Sequence, residues 1–410
     1  MSRGRILCVT SNFPRWAGDS TTSFVLHLAE DLQSLGWEVD VLAPHAEGAA
    51  MRERIGKVHV ERFRYLWPAS AETVCYQGGA LINLRKHPSN VLKLPALVAA
   101  EWWAIMRRLM SRRYDLLHSH WLLPQGFVGV LAARLLHTPH VVTVHGSDVF
   151  ALNGKLLKSF KRMAMQHADA VTVNSSATGQ AVNEIGPGSS PVKRIPMGVC
   201  TDFVAKTDPR VRALRDRYRR EQGPLLVFAG RVVEEKGVGD LIQAMHVLRV
   251  QHPDVTLLVV GEGQDRAMME ERCARHGVGD RVHFTGWVEP GEIPLYLAAG
   301  DIYVGPSWHE AQGLTFIEAM VAGTPVVATG VGGIVDSVQH EITGLLVEKQ
   351  SPDEIVAAVD RLVKEEGLAE RLCSTARKRV EERFSRQASA AAFDELFVRL
   401  VRESGRRGRE

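Results

Sequence analysis

Short apolar runs rich in β-branched residues alternate with stretches of helical period along most of this chain. Arg5–Ser11 reads as a strand, the apolar positions of Thr22–Leu35 recur at helical spacing, Gly36 ends that stretch, and Glu38–Ala43 is the next strand. Lys57–Phe63 is strand-like. After a broken stretch come Asp115–His120, His140–Gly146 and Ala170–Ser176, each short and separated from the next by helical sequence. A second series starts at Gly223–Arg231 and continues with Val255–Gly261, Arg281–Gly286, Asp301–Ser307 and Thr324–Thr329. The intervening helices are expected at about Gly239–Val250, Asp265–Gly277, Ile293–Ala299 and Leu314–Ala322. Near-continuous apolar strands alternating with helices indicate parallel sheets covered on both faces.

Two series imply two domains, and 410 residues are too many for one growing core. The sequence turns polar and loses its strand pattern near Asp202–Arg220, so the expected division is 1–203, 204–383, and a C-terminal segment 384–410. That last segment carries a helix at roughly Arg383–Val401, expected to pack back toward the N-terminal domain, and then a frayed tail, ESGRRGRE. The apolar share of 45% and charged share of 24% are those of an ordinary globular α/β protein. A net charge of +3 gives no global basic excess, so nucleic acid is not an expected partner. The five cysteines are odd in number and widely spaced, with no CxxC pair, which suits a reducing cytosol. The apolar stretch after Met1 is too short for a signal peptide, and no run approaches the roughly 18 apolar residues of a membrane span. A cytoplasmic location is expected, with contact at the inner face of the cell membrane open.

That contact would involve Val91–Tyr114, where Trp102 and Trp103 precede Arg107, Arg108, Arg112 and Arg113. A basic amphipathic helix with interfacial aromatics can lie on an anionic bilayer. A surface helix packed by its aromatic side is the other reading.

Candidate chemistry concentrates in Pro306–Gly333. A strand ends at Pro306, a loop carries Glu310, and Gly313 opens a helix bearing Glu318. Ligands of open parallel sheets bind at the carboxyl ends of strands, and free N–H groups near Gly313–Thr315 suit phosphate oxygens. A carboxylate one helical turn further in can accept from ribose hydroxyls. Gly230–Gly237 follows the first strand of the same domain and supplies Arg231 and Lys236. Fixed cations stabilise charge growing on a departing diphosphate more than they stabilise the ground state. No Asp-x-Asp element of the kind that holds a metal with phosphates occurs in the chain.

Gly230–Gly237 and the two glutamates separated by seven residues closely resemble the retaining glycosyltransferases of family 4, with the strongest signal over Gly230–Val347. The resemblance implies a GT-B fold: α/β, two Rossmann-like domains facing across a cleft. It also implies that Arg231 and Lys236 contact the donor diphosphate, Glu318 the nucleotide ribose and Glu310 the donor sugar. Backbone at Gly313 and Leu314 would touch phosphate and sugar. Gly261 lies in a turn similar to the family's glycine turn near the nucleotide, and Trp287 and Val288 in a segment similar to the one beside the base. Ala311 stands where family members often have glycine.

In the first domain Gly18 and Asp19 follow the first strand. Glycine lets such a loop approach a donor diphosphate or an acceptor, and Asp19 suits either an acceptor contact or a helix N-cap. His118, His120 and His145 end strands, and His145 reads as exposed. The family resemblance implies a hydrogen bond from His145 to a donor sugar hydroxyl. His120 is expected to bind acceptor or support the site, and His118 could be structural. The histidines lack a local ligand spacing and no cysteine joins them, so no metal site is expected.

These readings lead to retaining, metal-independent transfer from a UDP-sugar or GDP-sugar, without a cofactor, to a glycan, lipid-linked or small-molecule acceptor. Bacterial polysaccharide or glycolipid synthesis is the expected setting. The alternatives are a nucleotide-sugar-binding protein without robust transfer and a nonhydrolysing sugar epimerase.

Overall fold

The computed structural model describes residues 3–19, 21–76, 79–151 and 154–407, and the chain divides into two compact units. Met1–Gly198 with Arg386–Glu410 form one, and Val199–Ser385 the other.

Among its described residues the first unit holds eight strands: β1 Gly4–Val9, β2 Trp37–Pro44, β3 Arg52–Ile55, β4 Val58–Phe63, β5 Leu116–His120, β6 His140–Val144, β7 Ala170–Val173 and β8 Val192–Arg194. Their order is β3-β4-β2-β1-β5-β6-β7-β8, parallel throughout except for β3 against β4. Strand order reverses direction between β1 and β5, the topological switch point where crevices form in such sheets. Side chains alternate across the sheet. Leu7, Val9, Leu117, Val142 and Val171 face one layer of helices, Leu94–Ser111, Phe127–Leu135, Lys155–Gln166 and Ser176–Ile185. Cys8, His118 and Thr143 fall on the other face, where Phe393 and Phe397 of the last helix pack against His118.

That last helix runs Arg386–Arg407, so Glu403–Arg407 of the expected frayed tail is helical. Its anchoring is specific. Arg386 bridges Asp31 at 2.8 Å, Trp37 Nε1 donates to Asp394 at 2.8 Å, and Phe397 packs edge-on against Trp37. Fixing the helix face against the sheet therefore extends the core of the first unit.

The second unit has β9 Leu225–Ala229, β10 Thr256–Val260, β11 Val282–Gly286, β12 Ile302–Gly305, β13 Val326–Thr329 and β14 Leu345–Val347. Their order, β11-β10-β9-β12-β13-β14, is parallel and again reverses at its centre, between β9 and β12. β9, β10, β12 and β13 are buried at every residue, as strands covered on both faces must be. The polar stretch expected as a boundary carries a helix, Pro209–Tyr218, that Arg215 ties to this sheet through Ala299 O at 2.7 Å and Asp301 at 2.8 Å.

β3, β8 and β14 were absent from the sequence expectation. Arg52–Ile55 carries charge at three of four positions, and the other two strands have only three residues each, too few to show a period.

Phe397→Ala should destabilise the first unit by about 3–5 kcal/mol, the usual cost of removing a fully buried phenylalanine. Urea unfolding measures it; a loss well below about 1 kcal/mol would mean that the last helix is not part of this core.

Candidate functional site

In the second unit, the loops leaving β9 and β12 cross at the switch point. Gly237 has φ 73° and ends the turn Glu234–Lys236; a Cβ there would lie 1.9 Å from the carbonyl oxygen of Pro306. Only glycine satisfies both the backbone angle and the approach. Trp308 N donates to Glu235 O at 2.8 Å, and the Trp308 indole donates to Asp240 at 2.7 Å, locking the two loops together. A third turn buttresses the second loop. Gly333 N donates to Glu310 O at 3.0 Å, and a Cβ at Gly332 would come within 2.0 Å of that oxygen.

The crossing brings Lys236 onto Glu310: Lys236 Nζ and Glu310 Oε1 form an ion pair, both side chains less than one-fifth exposed. Arg231 stands exposed on the same loop, its side chain with no ion-pair or hydrogen-bond partner among the described residues. Gly313, at φ 79°, caps the helix Leu314–Val321 without any side-chain bond to its first N–H groups. Those donors remain open to an anion. Glu318, one turn in, is half-buried, and removal from water pushes its carboxyl up to about 7. Burial first, and then the charges of Glu310 and Glu318, raise the buried Tyr303 phenol of β12. Neither glutamate is an open surface acid.

The turn after β10 joins this arrangement. Gly261, at φ 133°, approaches Gly230 so closely that a Cβ would lie 2.0 Å from its carbonyl oxygen, and Gly230 N donates to Val260 O at 2.9 Å. Beyond β11, Trp287 is 64% exposed, whereas Val288 packs on the core.

The first unit builds a different site at its own switch point. Arg62, its side chain wholly buried, donates to Pro14 O at 2.9 Å and Arg15 O at 3.1 Å, fixing the loop after β1. Gly18 has φ 88° with open space where a Cβ would stand, so conformation rather than bulk calls for glycine. Asp19 accepts from Arg15 N at 2.8 Å and Nε at 2.7 Å and from Thr21 Oγ1 at 2.9 Å. Against burial, which raises it, these bonds together hold its carboxyl down to about 2. It closes its own loop and is not the helix N-cap, a position held by Thr22.

His145 is not exposed, as its place at a strand end had suggested. Phe24 at 5.1 Å and Trp121 at 4.7 Å cover the ring, leaving it 9% exposed. His145 Nε2 lies 2.9 Å from His120 Nδ1, and Asp148 accepts from the N–H groups of His145, Gly146 and Leu122. Burial holds His145 and His118 down to about 3 and His120 well below its ordinary value, so all three rings are neutral. In the His120–His145 bond one nitrogen must therefore donate and the other accept. His120 is 1% exposed, and its visible partner is His145. His118 Nε2 bonds Thr143 Oγ1 at 2.7 Å.

Cys8 also corrects a sequence expectation. Pairing of β1 with β5 sets Cys8 beside His118, and one ligand atom each from Cys8, His118 and His120 lies within 4.8 Å of the others. A cysteine does join the histidines, through register rather than through proximity in sequence. Burial pushes its thiol up to about 12. Asp148 likewise escaped notice in sequence; a carboxylate two residues beyond a glycine at a strand end was the available signal.

The glycosyl transferases group 1 model matches residues 212–379, and the glycosyltransferase family 4 model matches residues 21–203. The chain is 31% identical to the GDP-mannose-dependent alpha-(1-6)-phosphatidylinositol monomannoside mannosyltransferase of Mycobacterium tuberculosis, over 88% of this chain and 89% of that one. It is 35% identical to a 2-deoxystreptamine glucosyltransferase of Streptomyces kanamyceticus over 57% of this chain, a match that spans 64% of that protein. Among solved structures, sucrose-phosphate synthase from Thermosynechococcus elongatus superposes with TM-score 0.80 at 24% identity, covering 97% of this chain and 99% of that one. Anabaena HepE in complex with UDP-glucose gives 0.72 at 20%, covering 96% and 99%. At these identities the two structures speak for the fold, a pair of Rossmann-like units of GT-B type.

Glu318 yields a test by pH. Its folded value lies above the ordinary 4.5, so the unfolded chain ionises first and stability falls as pH rises from about 4.5 through about 7. Glu318→Gln removes that penalty. Its stability relative to wild type should be near zero at about pH 4.5 and grow to about 2 kcal/mol in favour of the variant near pH 8, by urea unfolding. A difference independent of pH would show that this carboxyl is not held out of water.

Proposed function

The chain belongs to the group 1, family 4 glycosyltransferases, and from that premise we propose retaining, metal-independent transfer of a hexosyl or N-acetylhexosaminyl group from a UDP- or GDP-sugar. The observation that carries this reading is the crossing of the β9 and β12 loops, which gathers a cation, a carboxylate and an uncapped helix N-terminus at one switch point.

In this proposal the donor diphosphate lies against the N–H groups of Gly313 and Leu314, with Arg231 extended to it. Lys236 exchanges part of its contact with Glu310 for a phosphate oxygen, and the released Glu310 carboxylate accepts from sugar hydroxyls. Glu318 accepts from the ribose. A half-buried acid whose carboxyl is pushed up gains most from donors that stabilise its ionised form. Gly261, Trp287 and Val288 border the base. Gly18 supplies loop conformation, Asp19 rigidity on the acceptor side, and His145 a neutral imidazole for a sugar hydroxyl, supported by His120.

The bond from the anomeric carbon to the diphosphate oxygen breaks as the acceptor oxygen bonds to that carbon on the same face. The acceptor proton passes to the departing diphosphate. Arg231, Lys236 and the helix N–H groups stabilise charge as it grows on that oxygen, in the role a divalent ion fills elsewhere. Acceptors of glycan, lipid-linked or small-molecule type fit, in bacterial polysaccharide or glycolipid synthesis. The mannosyltransferase relative, named for phosphatidylinositol monomannoside, favours a lipid-linked one. We further propose a cytoplasmic enzyme that meets the inner membrane face through 91–114.

A panel of UDP- and GDP-sugars, followed by donor hydrolysis and tight binding, tests the donor assignment. With the best donor, Lys236→Ala should lower kcat by about 10²–10³ with an unchanged melting transition. Transfer should persist in excess EDTA. Near-normal turnover of this variant would overturn the diphosphate assignment, and loss of activity in EDTA would overturn metal independence.

A further inference from the structure

Both tryptophans of the 91–114 segment point outward. The buried stripe of helix Leu94–Ser111 is Leu97, Glu101, Ile105 and Met106, while Trp103 is 66% and Met110 71% exposed. The helix is thus not packed by its aromatic side. It packs instead against Phe127–Leu135, which packs in turn against Lys155–Gln166, and the three helices form one layer on one face of the sheet.

The outer side of this layer combines two properties. Leu135 of the middle helix is 61% exposed, and Leu156 of the third is 67% exposed, so each of the three helices presents a bare apolar side chain. The stretches 91–113, 127–138 and 147–167 hold ten lysines and arginines against two acids, Glu101 and Asp148; of the ten, Arg108 and Arg112 pair with Glu61 and Asp40 from outside these stretches, and Lys161 is buried. Both acids are buried, Glu101 against Gln125 and Asp148 under backbone N–H groups, so neither offsets charge outside. Arg107, Arg113, Lys155 and Lys158 are exposed, and their side chains lack an ion-pair or hydrogen-bond partner among the described residues. No described helix is long and apolar enough to cross a membrane.

We propose that the whole three-helix layer, and not the 91–114 segment alone, is a docking face for an anionic phospholipid bilayer. This rests on and extends the membrane contact proposed above. Bare tryptophan and leucine enter the headgroup boundary, and the unpaired cations meet lipid phosphates. The excess of unpaired positive charge is what selects a bilayer over a second copy of this chain, whose same face would repel it. Helix Lys155–Gln166 then has a role that no transfer step assigns to it, holding the sheet edge of the first unit against the surface.

Co-sedimentation with vesicles tests this. The full chain should bind equimolar phosphatidylglycerol–phosphatidylcholine vesicles and leave pure phosphatidylcholine vesicles largely unoccupied. Lys155→Gln with Lys158→Gln should weaken partitioning about tenfold or more, as should Arg107→Gln with Arg113→Gln. Leu156→Ser should weaken it further. Arg162 is left intact because its guanidinium bonds Ile185 O. Soluble donor hydrolysis should be unchanged in each variant, which separates docking from catalysis. Wild-type partitioning by the Lys155/Lys158 variant, with loss in the Arg107/Arg113 variant, would overturn the extended face and leave contact through 91–114 standing. Failure of the wild type to bind anionic vesicles would overturn both, as would a dimer by sedimentation velocity that either pair abolishes.

Discussion

Two main-chain segments must cross almost in contact where β9 and β12 end, and the candidate donor site depends on that crossing. With Gly237 under the Pro306 carbonyl, the loop carrying Lys236 is held beside the loop carrying Glu310, and the two side chains form an ion pair. The Gly332–Gly333 turn behind Glu310 prevents the second loop from receding, and Trp308 ties it to Glu235 and Asp240 on the first. The pairing of cation and carboxylate is therefore a consequence of backbone geometry rather than of attraction between two mobile side chains. An exposed pair would hold itself together weakly. Here the scaffold supplies the proximity, so a phosphate that displaces the carboxylate meets a lysine already in place.

The first unit solves the problem of buried polarity by the opposite route. Where the second unit keeps a lysine and carboxylates at partial exposure, the first buries three imidazoles and keeps them uncharged. Burial is the leading cause of every one of those shifts. A charged imidazole under Phe24 and Trp121 would forfeit its hydration without a carboxylate close enough to replace it. Neutral rings can still donate and accept, and the His120–His145 bond fixes which nitrogen of His145 remains for another partner. Asp148 holds the backbone at His145 rather than its ring, which leaves the ring's hydrogen bonding to His120.

Strands were legible from sequence wherever a full buried run existed, and β9, β10 and β12 lie within the stretches their apolar residues marked. β3 was not, because an antiparallel edge strand with charges at three of four positions has no apolar signature. The loops around Lys236 and Glu310 could be named from their residues, but nothing in the residues said that they pair, since the contact joins positions 74 apart. Exposure was the poorest guess. His145 sits beside Gly146 and Ser147, which suggested an open strand end, yet the cover comes from Phe24 in a helix more than a hundred residues earlier. Trp102 and Trp103 suggested a packing side, yet a one-residue difference in helical phase gives the interior to Leu97, Glu101 and Ile105. Cys8 met His118 only through strand register.

The net charge of +3 is the least informative of these averages, because it conceals how differently two surfaces treat their charges. On helix Arg266–Arg275 of the second unit, Arg266 pairs with Glu262 and Glu270, and Arg275 with Glu271. On helix Pro352–Lys364, Arg361 pairs with Glu365 and Lys364 with Asp360. Each of these four cations finds a carboxylate one turn away, the ordinary pattern of a solvated helix, and Arg272 of the first helix pairs with Glu234. The layer bearing Trp103 and Leu156 breaks that pattern, since its few acids are turned inward to satisfy buried groups. Water would tolerate those unpaired cations, but it gives no reason for them to stand beside bare tryptophan and leucine. An interface that is apolar below and anionic above accounts for both features at once.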